Sequence, residues 1–189
     1  MGKISGKIVL IVGLPGSGKD AAAKAIEEEL GFRVLRMSDE LLDELRKRGL
    51  PVTRDNMRKV GIELRSKIGP SAIAKLVIKR IEGLDGEKGF VVNGIRNLEE
   101  IEEFERRFSD KVVTIAILAS KNLRFLRQLK RRRVGFDKES YEEFLSEDRE
   151  EIRAFHLGDA IAAADYFILN EGSLEDLRWK IVRLLLTIS

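Results

Sequence analysis

The chain has 189 residues, with 35 Lys and Arg, 32 Asp and Glu, one histidine and no cysteine. Without cysteine there is no disulfide framework, no thiolate-held zinc and no cysteine nucleophile, and a lone His156 argues against a serine–histidine hydrolase or a histidine-rich metal site. The 43 % apolar fraction fits one globular domain over residues 1–189, and a net charge of +3 is too small to argue for nucleic acid by itself.

No apolar run approaches the roughly 20 residues that cross a bilayer. Lys3 and Lys7 lead straight into a strand-like run rather than a signal peptide, so a cytoplasmic protein without a membrane partner is expected. A charged fraction of 35 % with a single glutamine, Gln128, points towards a thermophile; a helix-rich, charge-laced surface at any temperature is the alternative.

In chain order, an apolar strand over 7–12 (KIVLIV) precedes a helix over 19–30, and a weaker strand over 33–37 precedes helices over 39–48 and 54–81. Next come a strand over 90–92, a helix over 98–108, a strand over 112–118 (VVTIAIL) and helices over 123–132 and 142–164. A strand over 166–169 and a helix over 174–188 close the pattern, the latter packing Trp179 and its leucines. Gly31 and Gly49 stand where helix ends need a positive φ. Nearly continuous apolar strands alternating with helices predict a doubly wound α/β sheet, parallel and buried on both faces. Two regions break the alternation: a helical excursion over about 39–83, and a basic insert over about 131–140 (RRRVGFDKES). Each reads either as a solvated charge run or as an element that folds over a ligand.

Residues 13–20 read Gly-Leu-Pro-Gly-Ser-Gly-Lys-Asp, between an apolar strand and an alanine-rich helix. This is G-x-x-x-x-G-K in the strand–loop–helix setting that a P-loop requires. The glycines let successive backbone N–H groups face phosphate oxygens, the helix N-terminus adds partial positive charge, and Lys19 reaches the β- and γ-phosphates of ATP. Gly13, Pro15, Gly16, Ser17, Gly18, Lys19 and Asp20 are therefore candidate nucleotide ligands. The eighth position departs from the motif: Asp20 stands where a Ser or Thr hydroxyl usually ligates Mg²⁺. A carboxylate is itself a hard oxygen ligand, which makes Asp20 the candidate metal residue.

Beyond the P-loop, the stretches IELRSKIGPSAIAK (62–75), NGIRNLEEIEEF (93–104) and ADYFILNEGSLEDL (164–177) resemble the nucleoside monophosphate kinase group. More closely, nearly the whole chain resembles the archaeal adenylate-kinase-related proteins described as dephospho-CoA-kinase-like. The resemblance implies a P-loop NTPase three-layer sandwich with a five-stranded parallel sheet in the order 2-3-1-4-5. It also implies an acceptor region over about 39–83, a lid over about 131–140, and ATP with Mg²⁺ as cofactors. Asp39 matches the family's acidic residue after the second strand, but Leu42 replaces the arginine that usually follows. Gly94 and Arg96, with Arg65, match acceptor-side positions, the arginines as phosphate clamps. In the lid the resemblance assigns Arg127 to the base and Arg131 and Arg133 to phosphates, while Asn170 opens a turn whose backbone would meet adenine. Lys19, Arg96, Arg131 and Arg133 are the implied catalytic set. An RNA-binding patch is the rival for the arginine cluster, but no aromatic stripe accompanies it.

Asn93 is a second departure, since the family usually has Asp at this strand end. The carboxylate is at 20 and the neutral side chain at 93, the reverse of the usual pair. Phage deoxynucleotide kinases and animal phosphomevalonate kinases, in the same superfamily, also carry Asp after the P-loop lysine. The implied reaction moves the γ-phosphoryl of ATP to a small acceptor such as a nucleoside monophosphate, in a monomer or homodimer. The rivals are a dephospho-CoA kinase and a nucleotide-binding regulatory subunit with weak ATPase.

Overall fold

The computed structural model describes residues 6–131 and 140–188. Strands β1 (Ile8–Val12), β2 (Arg33–Arg36), β3 (Phe90–Ile95), β4 (Val112–Leu118) and β5 (Tyr166–Leu169) form one parallel sheet in the order β2-β3-β1-β4-β5, the order that the family resemblance implies. The helices are α1 (Lys19–Leu30), α2 (Met37–Lys47), α3 (Arg54–Ile68), α4 (Ala72–Glu82), α5 (Leu98–Phe108), α6 (Lys121–Arg131), α7 (Tyr141–Phe155), α8 (Leu157–Ala162) and α9 (Leu174–Thr187).

The central strand β1 has every residue buried, and its period of two splits it between two cores. Ile8, Leu10 and Val12 join α2, α3, α4, α5 and α8 on one face. Val9 and Ile11 join α1 and α9 on the other, where Leu177, Ile181 and Leu185 fall at helical spacing. Fully burying each such aliphatic side chain is worth about 1.5–3 kcal/mol, which is why a five-residue run can anchor the middle of the sheet.

Four details depart from the sequence reading. The helix over 54–81 is two helices, broken at Gly69, whose φ of 112° suits glycine, and Pro70, which has no N–H to continue the ladder. The helix over 142–164 also divides, at His156, whose φ of 51° turns the chain between α7 and α8. The third strand runs on to Ile95 because a register shift opposite Ile11 and Val12 accommodates Gly94 at φ 100°. Trp179 is 58 % exposed, on the outer side of α9, because only the Leu177–Ile181–Leu185 stripe meets the sheet. Gly31 and Gly49 end their helices at positive φ, as their positions suggest. No helix among the described residues is long and apolar enough to cross a membrane.

Candidate functional site

The loop between β1 and α1 owes its shape to what packs behind it. Gly16 and Gly18 sit at φ 82° and 106°. A Cβ at Gly16 would lie 2.7 Å from the Arg124 carbonyl oxygen, and one at Gly18 would lie 2.2 Å from Asn170 Nδ2. Glycine is therefore required by space as well as by conformation. Asn170, buried at the end of β5, donates from Nδ2 to the Ser17 carbonyl at 2.7 Å. Arg127 adds Nη2 bonds to the Asn170 carbonyl (3.0 Å) and Oδ1 (3.3 Å), with longer approaches of Nη1 to the Gly16 and Ser17 carbonyls. The Arg127 side chain, assigned by resemblance to the base, and the Asn170 side chain thus both contact the backbone of the phosphate loop.

Lys19 begins α1 and donates from Nζ to the Gly13 carbonyl at 2.7 Å and the Leu14 carbonyl at 3.0 Å. Burial pushes its pKa down to about 8; Asp20 opposes that shift, Arg96 adds to it, Glu151 opposes and Arg124 adds. The ammonium therefore lies in the field of all four groups.

The two departures from the P-loop pattern meet. Asn93 Nδ2 donates to Asp20 Oδ1 at 2.7 Å, bridging the end of β3 to the first turn of α1. Asn93 is buried, and its Oδ1 has no hydrogen-bond partner among the described residues. The Asp20 carboxylate and the unpaired amide oxygen of Asn93 are both hard oxygen donors. Magnesium in phosphate sites is held by one or two carboxylates plus the phosphates themselves, so this pair fits the ion.

The acceptor-side residues divide. Asp39 lies half-buried in the first turn of α2, and Gly94 forms the irregularity of β3. Arg65 reaches the fully buried Glu100 (Nη2 to Oε1, 2.6 Å), whose other oxygen accepts the Arg96 backbone N–H at 2.8 Å. The Arg96 guanidinium turns to Glu151 on α7 (2.8 Å). Both guanidinium carbons lie about 5 Å from the Phe155 ring centre, at 5.0 Å for Arg65 and 4.9 Å for Arg96. Arg131 ends α6 and is exposed; Arg133 lies outside the described residues, as do residues 132–139 of the expected lid.

Sequence reasoning missed Arg124 and Asp148. Arg124 is 1 % exposed and grips Asp148 through two 2.6 Å bonds, with Nη1 also 3.2 Å from the Pro15 carbonyl. Helix α6 buries Arg124 and Gln128 and leaves Leu126 59 % exposed. The acid in Leu-Ser-Glu-Asp-Arg gave no sign of this distant partner. A groove of about 470 Å³, lined by Trp179, Val182 and Leu186, lies against the outer side of α9 and shares none of these residues.

A family model described as an AAA domain matches residues 12–145. A UPF0200 protein of Pyrococcus horikoshii is 38 % identical over 176 residues, covering 92 % of this chain and 93 % of its own. The chain belongs to the AAA-domain family and to the UPF0200 family. Among solved structures, a shikimate kinase from Acinetobacter baumannii in complex with shikimate superposes with a TM-score of 0.61 at 19 % identity, covering 97 % of this chain and 94 % of that one. A gluconokinase from Sinorhizobium meliloti gives 0.56 at 18 % identity, with 97 % and 95 % covered. The UPF0200 chain therefore has the P-loop kinase-like fold, with its phosphate loop at the carboxyl end of the central strand, where open α/β sheets place ligands.

Proposed function

We propose that this UPF0200 protein is an ATP-dependent phosphotransferase that moves the γ-phosphoryl group of ATP to a small phosphorylated acceptor, a nucleoside monophosphate being the first choice. The observation that carries the reading is the geometry at Lys19. A strand buried on both faces delivers a glycine loop, shaped by Gly16 and Gly18, to the N-terminus of α1, with the half-buried Lys19 ammonium held against the loop's own carbonyls.

In the absence of phosphate, Lys19 holds the Gly13 and Leu14 carbonyls; on binding it would turn to the β- and γ-phosphates as a point charge. Backbone N–H groups from Gly16 to Asp20 would cradle the same oxygens. Asp20 and Asn93 would hold Mg²⁺, which would supply positive charge to offset that of the phosphates. Arg96 would orient the acceptor, and Arg131 and Arg133 are, by the family resemblance, assigned to phosphates. Positioning and charge neutralisation would supply most of the catalysis.

The test is a screen of nucleoside monophosphates and dephospho-CoA with γ-labelled ATP and Mg²⁺. Label in one acceptor, lost in Lys19→Ala, supports the kinase. Hydrolysis without any labelled acceptor would favour a nucleotide-binding regulator with weak ATPase, a reading supported by the amide at Asn93 where the kinase group usually carries a carboxylate.

A further inference from the structure

Helix α7 brings two acids across the site from one face. Asp148 and Glu151 are three residues apart, so they project from the same side of the helix. Asp148 holds Arg124 against the phosphate loop, and Glu151 holds Arg96 at the end of β3. Glu151 also lies 3.7 Å from Arg54 on α3, whose nearer partner is Glu147 at 2.8 Å. We propose that Glu151 is a resident counter-ion of the acceptor subsite, and that an acceptor enters by exchanging its own phosphate dianion for the Glu151 carboxylate on Arg96. This rests on the kinase reading above and names the charge class of acceptor that the site admits.

Arg96 is built to survive that exchange. Its backbone N–H is pinned by Glu100, and its guanidinium lies over Phe155, so neither hold depends on Glu151. Its side chain is 39 % exposed while that of Glu151 is 11 % exposed, so a ligand meets the arginine first. Arg65 offers no comparable hand, because its partner Glu100 is fully buried. The pair also lies beside the phosphate cradle, since both members act on the Lys19 ammonium.

The exchange selects by charge. A tethered carboxylate acts at an effective concentration of order millimolar or more. A monoanionic carboxylate brings Arg96 no more charge than Glu151 already supplies. A neutral hydroxyl compound brings none. A phosphate monoester carries about −1.5 to −2 and three acceptor oxygens, enough to fork onto Arg96 and reach Arg54.

The experiment titrates inorganic phosphate, and acetate in parallel, into protein saturated with the non-hydrolysable ATP analogue AMPPNP and Mg²⁺. Saturation is verified first by thermal shift; its failure would indict the phosphate-loop reading and not the exchange. Phosphate should bind at least about tenfold more tightly than acetate. Glu151→Gln should tighten phosphate binding by about tenfold or more, and Arg96→Met should abolish it. In wild type, phosphate should accelerate hydrogen exchange at amides 147–155 as Glu151 lets go, a readout that stands even if Glu151→Gln fails to fold. Unchanged or weaker phosphate binding by Glu151→Gln, equal affinity for acetate, or amides 147–155 indifferent to phosphate would each overturn the proposal.

Discussion

Asn93 and Asp20, 73 positions apart in the chain, share a 2.7 Å hydrogen bond at the mouth of the phosphate loop. The amide and the carboxylate occupy facing places, so the usual hydroxyl–carboxylate pair of a P-loop site is reversed in polarity and keeps one negative charge. With no cation present, the Asp20 carboxylate would face the phosphates directly. Two like charges about 4 Å apart repel strongly at the edge of a protein, and even a screened fraction costs about tenfold in affinity. ATP binding should therefore be at least about tenfold weaker in EDTA than in Mg²⁺. Asp20→Ser should strengthen metal-free binding without raising turnover, and adding Asn93→Asp should recover the activity of the wild type. Calorimetry with and without Mg²⁺ checks the first point; equal affinities would mean that the carboxylate holds no metal.

Lys19 should make both stability and binding depend on pH. Its folded pKa, about 8, lies below its ordinary value of 10.5. Between these values the unfolded chain holds a proton that the folded chain has released, so stability rises with pH across that window relative to Lys19→Met. Below about pH 8 both states are protonated and the cost of burying the charge is fully present. Phosphate binding has the opposite sign, because it needs the ammonium. ATP affinity should fall as pH rises through about 8, with uptake of up to one proton per ATP bound at pH 9. Calorimetry in two buffers of different ionisation enthalpy measures that uptake, and Lys19→Met should remove it.

Much of this was legible in the sequence, for a physical reason: strands buried on both faces and a glycine loop are local patterns. The parallel sheet, the phosphate loop and the helix stops at Gly31 and Gly49 follow from them, whereas the strand order came from the family resemblance. What escaped were the pairings made by distance. Arg124 takes its role only from Asp148, which arrives from α7, so nothing local to α6 marks it. Asn170 reads as a turn residue, yet its side chain fastens the phosphate loop. The helix break at Gly69-Pro70 carried a warning in the sequence, whereas the one at His156 did not, because most histidines keep a negative φ even though the residue is enriched among those that do not.

That joint offers a clean stability test. His156 ends α7 and starts α8 at φ 51°, with its backbone N–H bonded to the Ile152 carbonyl. Glycine takes this conformation without the Cβ penalty, which is about 1–2 kcal/mol, and gives back part of the gain in unfolded-chain entropy. His156→Gly should therefore stabilise the protein by about 0.5–1 kcal/mol, whereas His156→Val should destabilise it. Chemical denaturation of both variants reads the difference, and activity should stay near that of wild type because the exposed His156 side chain makes no hydrogen bond or ion pair to a site residue among the described residues.

The Arg124–Asp148 pair should behave as a buried unit that also shapes the phosphate loop. Both side chains are almost fully covered, and each Asp148 oxygen takes one guanidinium nitrogen at 2.6 Å. Removing one partner leaves an uncompensated charge in a place water barely reaches. Asp148→Asn or Arg124→Met alone should therefore cost about 3–5 kcal/mol. Replacing both with apolar residues of similar volume, Arg124→Met with Asp148→Leu, should cost far less, because the desolvation penalty goes with the charges. Stability and nucleotide binding should then part company. The double variant still lacks the Nη1 contact to the Pro15 carbonyl, so its phosphate loop should remain loose and its ATP affinity reduced although its melting temperature has largely recovered. Denaturation and calorimetry on the two single variants and the double variant complete the cycle. A double variant that regains full ATP affinity along with its stability would reduce Arg124 to a packing residue with no hand in the loop.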